Sequence, residues 1–363
     1  MRLIFSLILL LSVAYSHAQI SAYSTVRQEF YVFEDGMKNK IEGLNPIEYQ
    51  IGRKTLAYLD NARNFKIYRD GQVTKINDLF TTQFEVSDHL VLYRTANSIS
   101  VIDGNNVVPL SRLSNQYGLG DSLVLFYDMN RSNLNSYYKG EIKELENFLL
   151  TNDDDFSFDK PEYVKVSDNI GAYINFNDVF KIFYNNELEI LENQKVSSFK
   201  IGRNTLAYVD INNQFRIYHK GELYEIDGFA PLSYQVGDDI VAFVGYDGYF
   251  KIFHNGRLHN IGYYEPKYQV ADRIVAFENV NGFFHVFYEG ENTPLENYYP
   301  EDLLLGYHSL AYINRNNVLR FYSRGKLHDV TTMTINDMRL DYDVLQYKLG
   351  FNAFKFCLDG EKY

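Results

Sequence analysis

The sequence predicts an all-β chain assembled from about ten copies of one four-stranded antiparallel unit, and three recurring features predict it. The first is a turn glycine that returns every 33 to 36 residues, as Gly36, Gly71, Gly104, Gly140, Gly221, Gly256, Gly290, Gly325 and Gly360. The long step between Gly140 and Gly221 is filled by Asn185-Asn186, and Asn is the next residue after Gly to accept positive φ. The second is a strand ahead of each turn, of the type Phe65-Lys66-Ile67-Tyr68, Phe215-Arg216-Ile217-Tyr218 or Phe250-Lys251-Ile252-Phe253. The third is a small-then-aromatic pair, as at Ala22-Tyr23, Ala57-Tyr58, Ala172-Tyr173, Ala207-Tyr208, Ala242-Phe243 and Ala311-Tyr312.

Each unit can be justified strand by strand. Tyr49-Gln50-Ile51, Phe84-Glu85-Val86, Tyr234-Gln235-Val236 and Tyr268-Gln269-Val270 form the first strand, and the small-aromatic pair marks the second. Tight polar turns such as Gly237-Asp238-Asp239 join these two. The third and fourth strands form a hairpin. Its two-residue Asp-Gly or Asn-Gly connection calls for a type I′ turn, with positive φ at both central residues. The longest routine connection, as from Asn77 to Thr82, runs from one unit's fourth strand to the next unit's first.

The first eighteen residues read as a targeting segment: Arg2, an apolar stretch from Leu3 to Val13, then Ser16-His17-Ala18 as a small-x-small cleavage site before Gln19. That stretch falls short of the ~20 residues that span a bilayer. No Cys follows the site to carry a lipid anchor, so the expected product is a secreted or periplasmic chain of residues 19–363 with no membrane insertion. The one cysteine, Cys357, rules out an intramolecular disulfide and occupies a position where other units carry Phe or Tyr, so it reads as a small buried residue.

A net charge of −12 argues against nucleic acid, which is bound by clustered Lys and Arg. Trp, the side chain best suited to sugar stacking, is absent, while 32 Tyr and 27 Phe are present.

Four strands per period of about 35 residues point to a β-propeller, in which each unit is one blade covered on both faces by its neighbours. An outer-membrane barrel needs strands about twice as long. The motif aromatic-x-Val-Gly/Ser-Asp-x-Ile/Leu-x-Ala-aromatic, followed by a polar turn and Phe-Lys-Ile-aromatic-x-Asp/Asn-Gly, resembles β-propeller repeat proteins over residues 20–363. The resemblance is one of architecture. The tryptophan-dependent signatures and the kelch double glycine are missing, so it implies no activity. Ten units exceed the usual 4 to 8 blades. One large ring and two tandem rings both remain open, with the lack of a Pro- or Gly-rich linker favouring one. The first unit begins at its second strand and the last stops within its fourth, so strand sharing between the termini is the expected closure.

The period breaks once, at an acidic insertion at about residues 149–163. Its Asp153, Asp154, Asp155 and Asp159 are candidate calcium ligands, against the plainer reading of a solvated acidic loop. No other cofactor is expected. The basic position of the third strand (Lys66, Lys181, Arg216, Lys251, Arg320, Lys355) reads either as a ring that attracts an acidic polymer or as charges paired with turn carboxylates. His219 and His254, equivalent in consecutive units, read as exposed strand ends.

No nucleophile elbow, phosphate-cradling loop or His-Glu-x-x-His pair occurs. The resulting expectation is a non-enzymatic binding scaffold for a protein, peptide or glycan. The alternatives are a polysaccharide-acting enzyme with carboxylates in the central channel and a structural envelope component. The scaffold reading leans on the regularity of the units, so unlike polar groups converging in the channel would weaken it.

Overall fold

A computed structural model describes residues 19–78, 81–114, 116–147, 164–175 and 177–363. The targeting segment and the acidic insertion, with Asp153, Asp154, Asp155 and Asp159, lie outside the described residues. The described residues form ten antiparallel meanders and no helix. Nine sheets have four strands in sequence order, and the first has three among the described residues.

A single closed ring follows from the packing. Each pair of successive blades shares an apolar cluster, such as Ile20, Ala22, Phe30 and Val32 of blade 1 against Leu56, Tyr58 and Tyr68 of blade 2. The last cluster closes the circle: Tyr23 and Phe33 of blade 1 pack on Val344 and Phe356 of blade 10, with Phe33 and Phe356 stacked at 4.2 Å. The small residue of the small-aromatic pair is fully buried in these seams, as Ala57, Ala207 and Ala242. Burial of this kind stabilises by about 25 cal/mol per Å² of apolar surface, spread evenly around the ring.

A recurring β-bulge shapes the outer edge. At Phe65/Lys66, Phe215/Arg216 and Phe250/Lys251 the register between third and outer strand shifts by one residue. The bulge turns Ile76, Ile226 and Ile261 of the outer strand back toward the seams and breaks up an edge that could otherwise pair with other chains.

The hairpin turns behave as their sequence requires, with one exception. Lys220 and Gly221 have φ of 50° and 89°, and Asn185 and Asn186 have 50° and 67°, as a type I′ turn demands. In blade 3, however, Asp103 pairs with Asn106, so the turn is Gly104-Asn105 and only Gly104 has positive φ. That is the type II′ pattern, one residue later than Asp103-Gly104 suggested.

Closure also differs from expectation, because among the described residues no strand is shared between the termini. Beside the first described strand of blade 1, Arg339 on the inner strand of blade 10 donates to the Ala22 carbonyl (2.5 Å) and to the Tyr49 hydroxyl of blade 2 (2.9 Å). Gln19 binds Asp343 through both ends of its amide, and the Ser21 hydroxyl donates to Asp341 at 2.6 Å. The residue equivalent to Arg339 reaches the backbone of the next blade elsewhere too, as Gln50 to Phe84 and Lys200 to Tyr234. Arg339→Met should therefore lower stability by about 1–3 kcal/mol, the cost of a buried carbonyl left without a donor. Thermal denaturation against Lys355→Met, a surface control, checks this.

At Lys66, Lys181, Arg216, Lys251 and Arg320 the basic ring resolves into paired charges. Lys66 bonds Glu42 (2.7 Å) and Asp60 (2.8 Å), Arg320 bonds Glu296 (2.8 Å), and Arg216 and Lys181 pair with Glu192 and Glu146. Each of these glutamates belongs to the outer strand of the preceding blade or to the residues that end it. Cys357 is fully buried and its thiol is pushed up to about 11 by burial.

Candidate functional site at the axial mouth

The turn between first and second strand places its middle residue at the mouth of the central channel. The positions are Arg53, Asp88, Asp121, Asp168, Arg203, Asp238, Asp272, Tyr307 and Tyr342. Except for Asp341 ahead of Tyr342, the residue before each is small, and the next blade's turn presses against its glycines. A Cβ on Gly237 would stand 2.0 Å from the Ala271 carbonyl oxygen, and one on Gly202 2.1 Å from that of Gly237. The repeated Gly/Ser-Asp step is thus a close contact between blades as well as a turn.

Arg203 breaks the pattern and organises the mouth. Its guanidinium, from blade 6, reaches Asp88 of blade 3 (2.7 Å) and Asp121 of blade 4 (2.8 Å) and pairs with Asp168 of blade 5. Asp272 of blade 8 stands 4.0 Å away. Tyr307 of blade 9 lies with its ring 4.8 Å from the Arg203 guanidinium and donates its hydroxyl to Asp238 of blade 7 (2.8 Å). Arg273 then binds Asp238 (2.9 Å) and Asp239 (3.2 Å).

Burial decides the protonation of these groups. It raises Asp168 and Asp121, which share a hydrogen bond, so the pair retains a proton far above the usual carboxylate range. Burial also raises Asp88, but Arg203 and hydrogen bonds outweigh it, leaving Asp88 lowered and ionised. Asp272 is pushed up to about 6, by burial that Arg203 only partly offsets and by repulsion from Asp238, Asp88 and Asp121. Arg203 itself is raised by its four carboxylates acting against burial.

The sign of the pH effect follows. A carboxyl whose folded-state pKa lies above its unfolded value of 3.8 stabilises the fold fully below that value and loses the contribution as pH rises. For Asp272 the loss falls between 3.8 and about 6, and for the Asp121/Asp168 pair it extends well above neutrality. Asp168→Asn should therefore flatten the decline of stability between pH 4 and pH 9. Denaturant titrations of both proteins across that range would show it, and parallel curves would contradict it.

Beneath the mouth lies a cavity of about 490 Å³. Its aliphatic wall comes from the ends of the inner strands, Leu119, Val166, Ile201, Val236, Val270 and Leu305, and its polar end from Asp121, Asp168, Arg203, Asp272, Tyr307 and Tyr342. The motif's Asp gave a signal for this site: it recurs at Asp88, Asp121, Asp168, Asp238 and Asp272, and Arg203 interrupts that run. Read turn by turn, the carboxylates looked like ordinary turn polarity.

The histidines sit differently from expectation. His219 and His254 are buried, 5% and 9% exposed, because the neighbouring blade covers the strand end; Phe253 lies edge-on to His219 and Phe287 to His254. His219 contacts the Thr205 hydroxyl at 3.0 Å, and burial lowers the pKa of both rings. No group of three or more His, Cys, Asp or Glu side chains placed to hold a metal ion occurs among the described residues.

Comparison with known proteins agrees with this architecture. The profile of the 10-bladed β-propeller domain matches residues 14–363. The chain belongs to this family. No curated protein matches it. Solved structures that resemble this ten-bladed propeller include the computationally designed Ika8 protein (15% identity, 77% of this chain and 96% of that one, TM-score 0.34). Hsv2p of Kluyveromyces lactis is another (11% identity, 67% and 93%, TM-score 0.34). The structure of Kap60 bound to yeast RCC1 (Prp20) is a third (11% identity, 75% and 79%, TM-score 0.35). Propellers commonly serve as scaffolds for protein interactions, and their loops build the faces that do so.

Two such faces differ here. The third-to-outer hairpins lie beside the axial mouth, with Lys220 N donating to Asn204 O and Asn255 N to Asp239 O. The opposite face, called the loop face below, carries the second-to-third turns and the blade-to-blade connections. Among the described residues, every exposed large apolar side chain lies on an outer strand or on the loop face. Val26, Ile211, Tyr246, Val280 and Phe351 occupy turn tips there, and Phe229 stacks on Tyr246 at 5.0 Å.

Proposed function

We propose that this propeller is an exported, non-enzymatic interaction scaffold that holds a protein, peptide or glycan partner against its loop face. The observation that carries the reading is that the loop face collects exposed apolar turn tips and connections, with Phe229 stacked on Tyr246, since exposed apolar surface marks interaction sites. Exposed Tyr and Phe are the side chains that anchor such contacts. Export rests on the amino-terminal segment, and ring closure through Gln19, the residue after the expected cleavage point, supports it.

Regularity of the units no longer supports a purely binding role, because unlike residues do converge at the axial mouth. Their chemistry supports it instead. Asp121 and Asp168 hydrogen-bond each other and both pair with Arg203. The acid and base of a glycoside hydrolase stand about 5–10 Å apart with room for substrate or water between them. A carboxyl pair in mutual contact and salt-bridged to a buried guanidinium offers neither a free base nor a free acid to a polymer.

Capture from an envelope extract with the mature protein as bait, run beside a glycan array, tests the reading. Retention of one protein, or of one glycan class, is expected. Turnover of an arrayed polysaccharide, lost in Asp168→Asn, would replace the scaffold reading with the enzymatic one.

A further inference from the structure

We propose that the axial cavity binds a guanidinium or primary ammonium group carried on a short aliphatic chain. The cavity has the two parts such a guest needs. One is an aliphatic wall, including Val166, Ile201, Val236 and Leu305, that covers a methylene chain; the other is an acidic end that meets the cation. The mouth already seats one guanidinium, that of Arg203, against Asp88, Asp121 and Asp168, so the chemistry of recognition is present in the fold.

Asp272 is the carboxylate left over. It lines the cavity with about a third of its side chain exposed (36%), its one ionic neighbour is Arg203 at 4.0 Å, and it accepts no hydrogen bond among the described residues. The nearest charges acting on it besides Arg203 are acidic, Asp238, Asp88, Asp121 and Asp168, while Arg53 and Arg273 stand 5.5 and 5.8 Å from the Tyr307 ring of the same mouth. A cationic guest supplies a partner through a charge-assisted bond, the stronger kind of hydrogen bond. Because Asp272 titrates near 6, the guest binds more tightly at pH 7.5 than at pH 5, where the carboxyl holds its own proton.

The same group is available from an Arg or Lys side chain of a bound protein or from a free small amine. The inference does not depend on the loop-face reading, since the cavity lies at the other end of the channel.

The probes are n-butylguanidinium and its neutral isostere N-butylurea, titrated into the mature protein and followed by calorimetry and by NMR of the cavity methyl groups. Butylguanidinium is expected to bind at least tenfold more tightly than the urea at pH 7.5, and Asp272→Asn to abolish the preference. Asp272→Glu should retain it, as should Asp302→Asn on the opposite face, and melting curves confirm that each variant is folded. Equal binding of the two probes, or a preference that survives in folded Asp272→Asn, overturns the proposal. Within a positive result, the tripeptide Gly-Arg-Gly displaces butylguanidinium if the natural guest is a protein side chain and fails to do so if it is a free amine.

Discussion

Arg203→Met should be the most damaging single substitution in the channel, lowering stability by about 3–5 kcal/mol. The side chain is 13% exposed and is the common partner of Asp88, Asp121 and Asp168, themselves 2%, 15% and 16% exposed. Met fills much of the volume but leaves those carboxylates without a countercharge. Asp121 and Asp168 can retreat by keeping protons, since burial already favours their neutral form. Asp88, ionised in the parent because Arg203 and hydrogen bonds outweigh its burial, is left as a buried unpaired charge or has to take up a proton. The defect should therefore ease at low pH and in the double variant Arg203→Met/Asp88→Asn. A loss below about 1 kcal/mol in Arg203→Met would show that the cluster contributes little and that the mouth is held by the backbone alone.

Gly237→Val ranks second. Its added Cβ meets the Ala271 carbonyl oxygen at 2.0 Å and the Asp272 carbonyl oxygen at 2.7 Å. Both are backbone atoms of the next blade, so no rotamer change relieves the contact and blade 8 must move. Overpacking of this kind costs about 1–3 kcal/mol. Gly221→Val makes the useful comparison. Its φ of 89° strains any L-residue, but the nearest atom to an added Cβ, Tyr184 Cε1, is 3.9 Å away. The penalty there is the left-handed backbone alone, about 1–2 kcal/mol. Unfolding of both variants in denaturant should place Gly237→Val below Gly221→Val, and Gly237→Val should also disturb the Arg203 cluster through Asp272.

The two glycine classes show how far local pattern reaches. A hairpin glycine announces itself, because positive φ is a property of its own backbone and Asn185-Asn186 substitutes for it by the same rule. The inner-turn glycine answers to a neighbour 35 residues away, as Gly202 does to Gly237. A single unit gives no hint of that contact. The same limit explains the mouth. Strand order, turn positions and blade number follow from periodicity, whereas the meeting of Arg203 with Asp88 spans 115 residues and depends on ring closure.

Ring closure is not encoded in any single unit. Truncated first and last units suggested a shared strand, but Arg339 satisfies the Ala22 carbonyl with a side chain and Phe33 stacks on Phe356. A chain of ten wedges can close by packing because each seam already works that way. The buried histidines teach a similar point: His219 and His254 stand at strand ends, and it is the next blade, not the strand, that covers them.

The central claim is that the loop face holds the partner and the axial charges hold the ring. Retention of the captured partner by Tyr246→Ser/Phe351→Ser, compared with a hairpin-face control, Asp70→Ser/Glu289→Ser, tests it most directly. Both substitutions are at exposed positions, so each variant should melt as the parent does. Loss of the partner by at least tenfold in the loop-face variant, with the control unchanged, is the predicted result. Undiminished retention in the loop-face variant, or loss confined to the control, would contradict it.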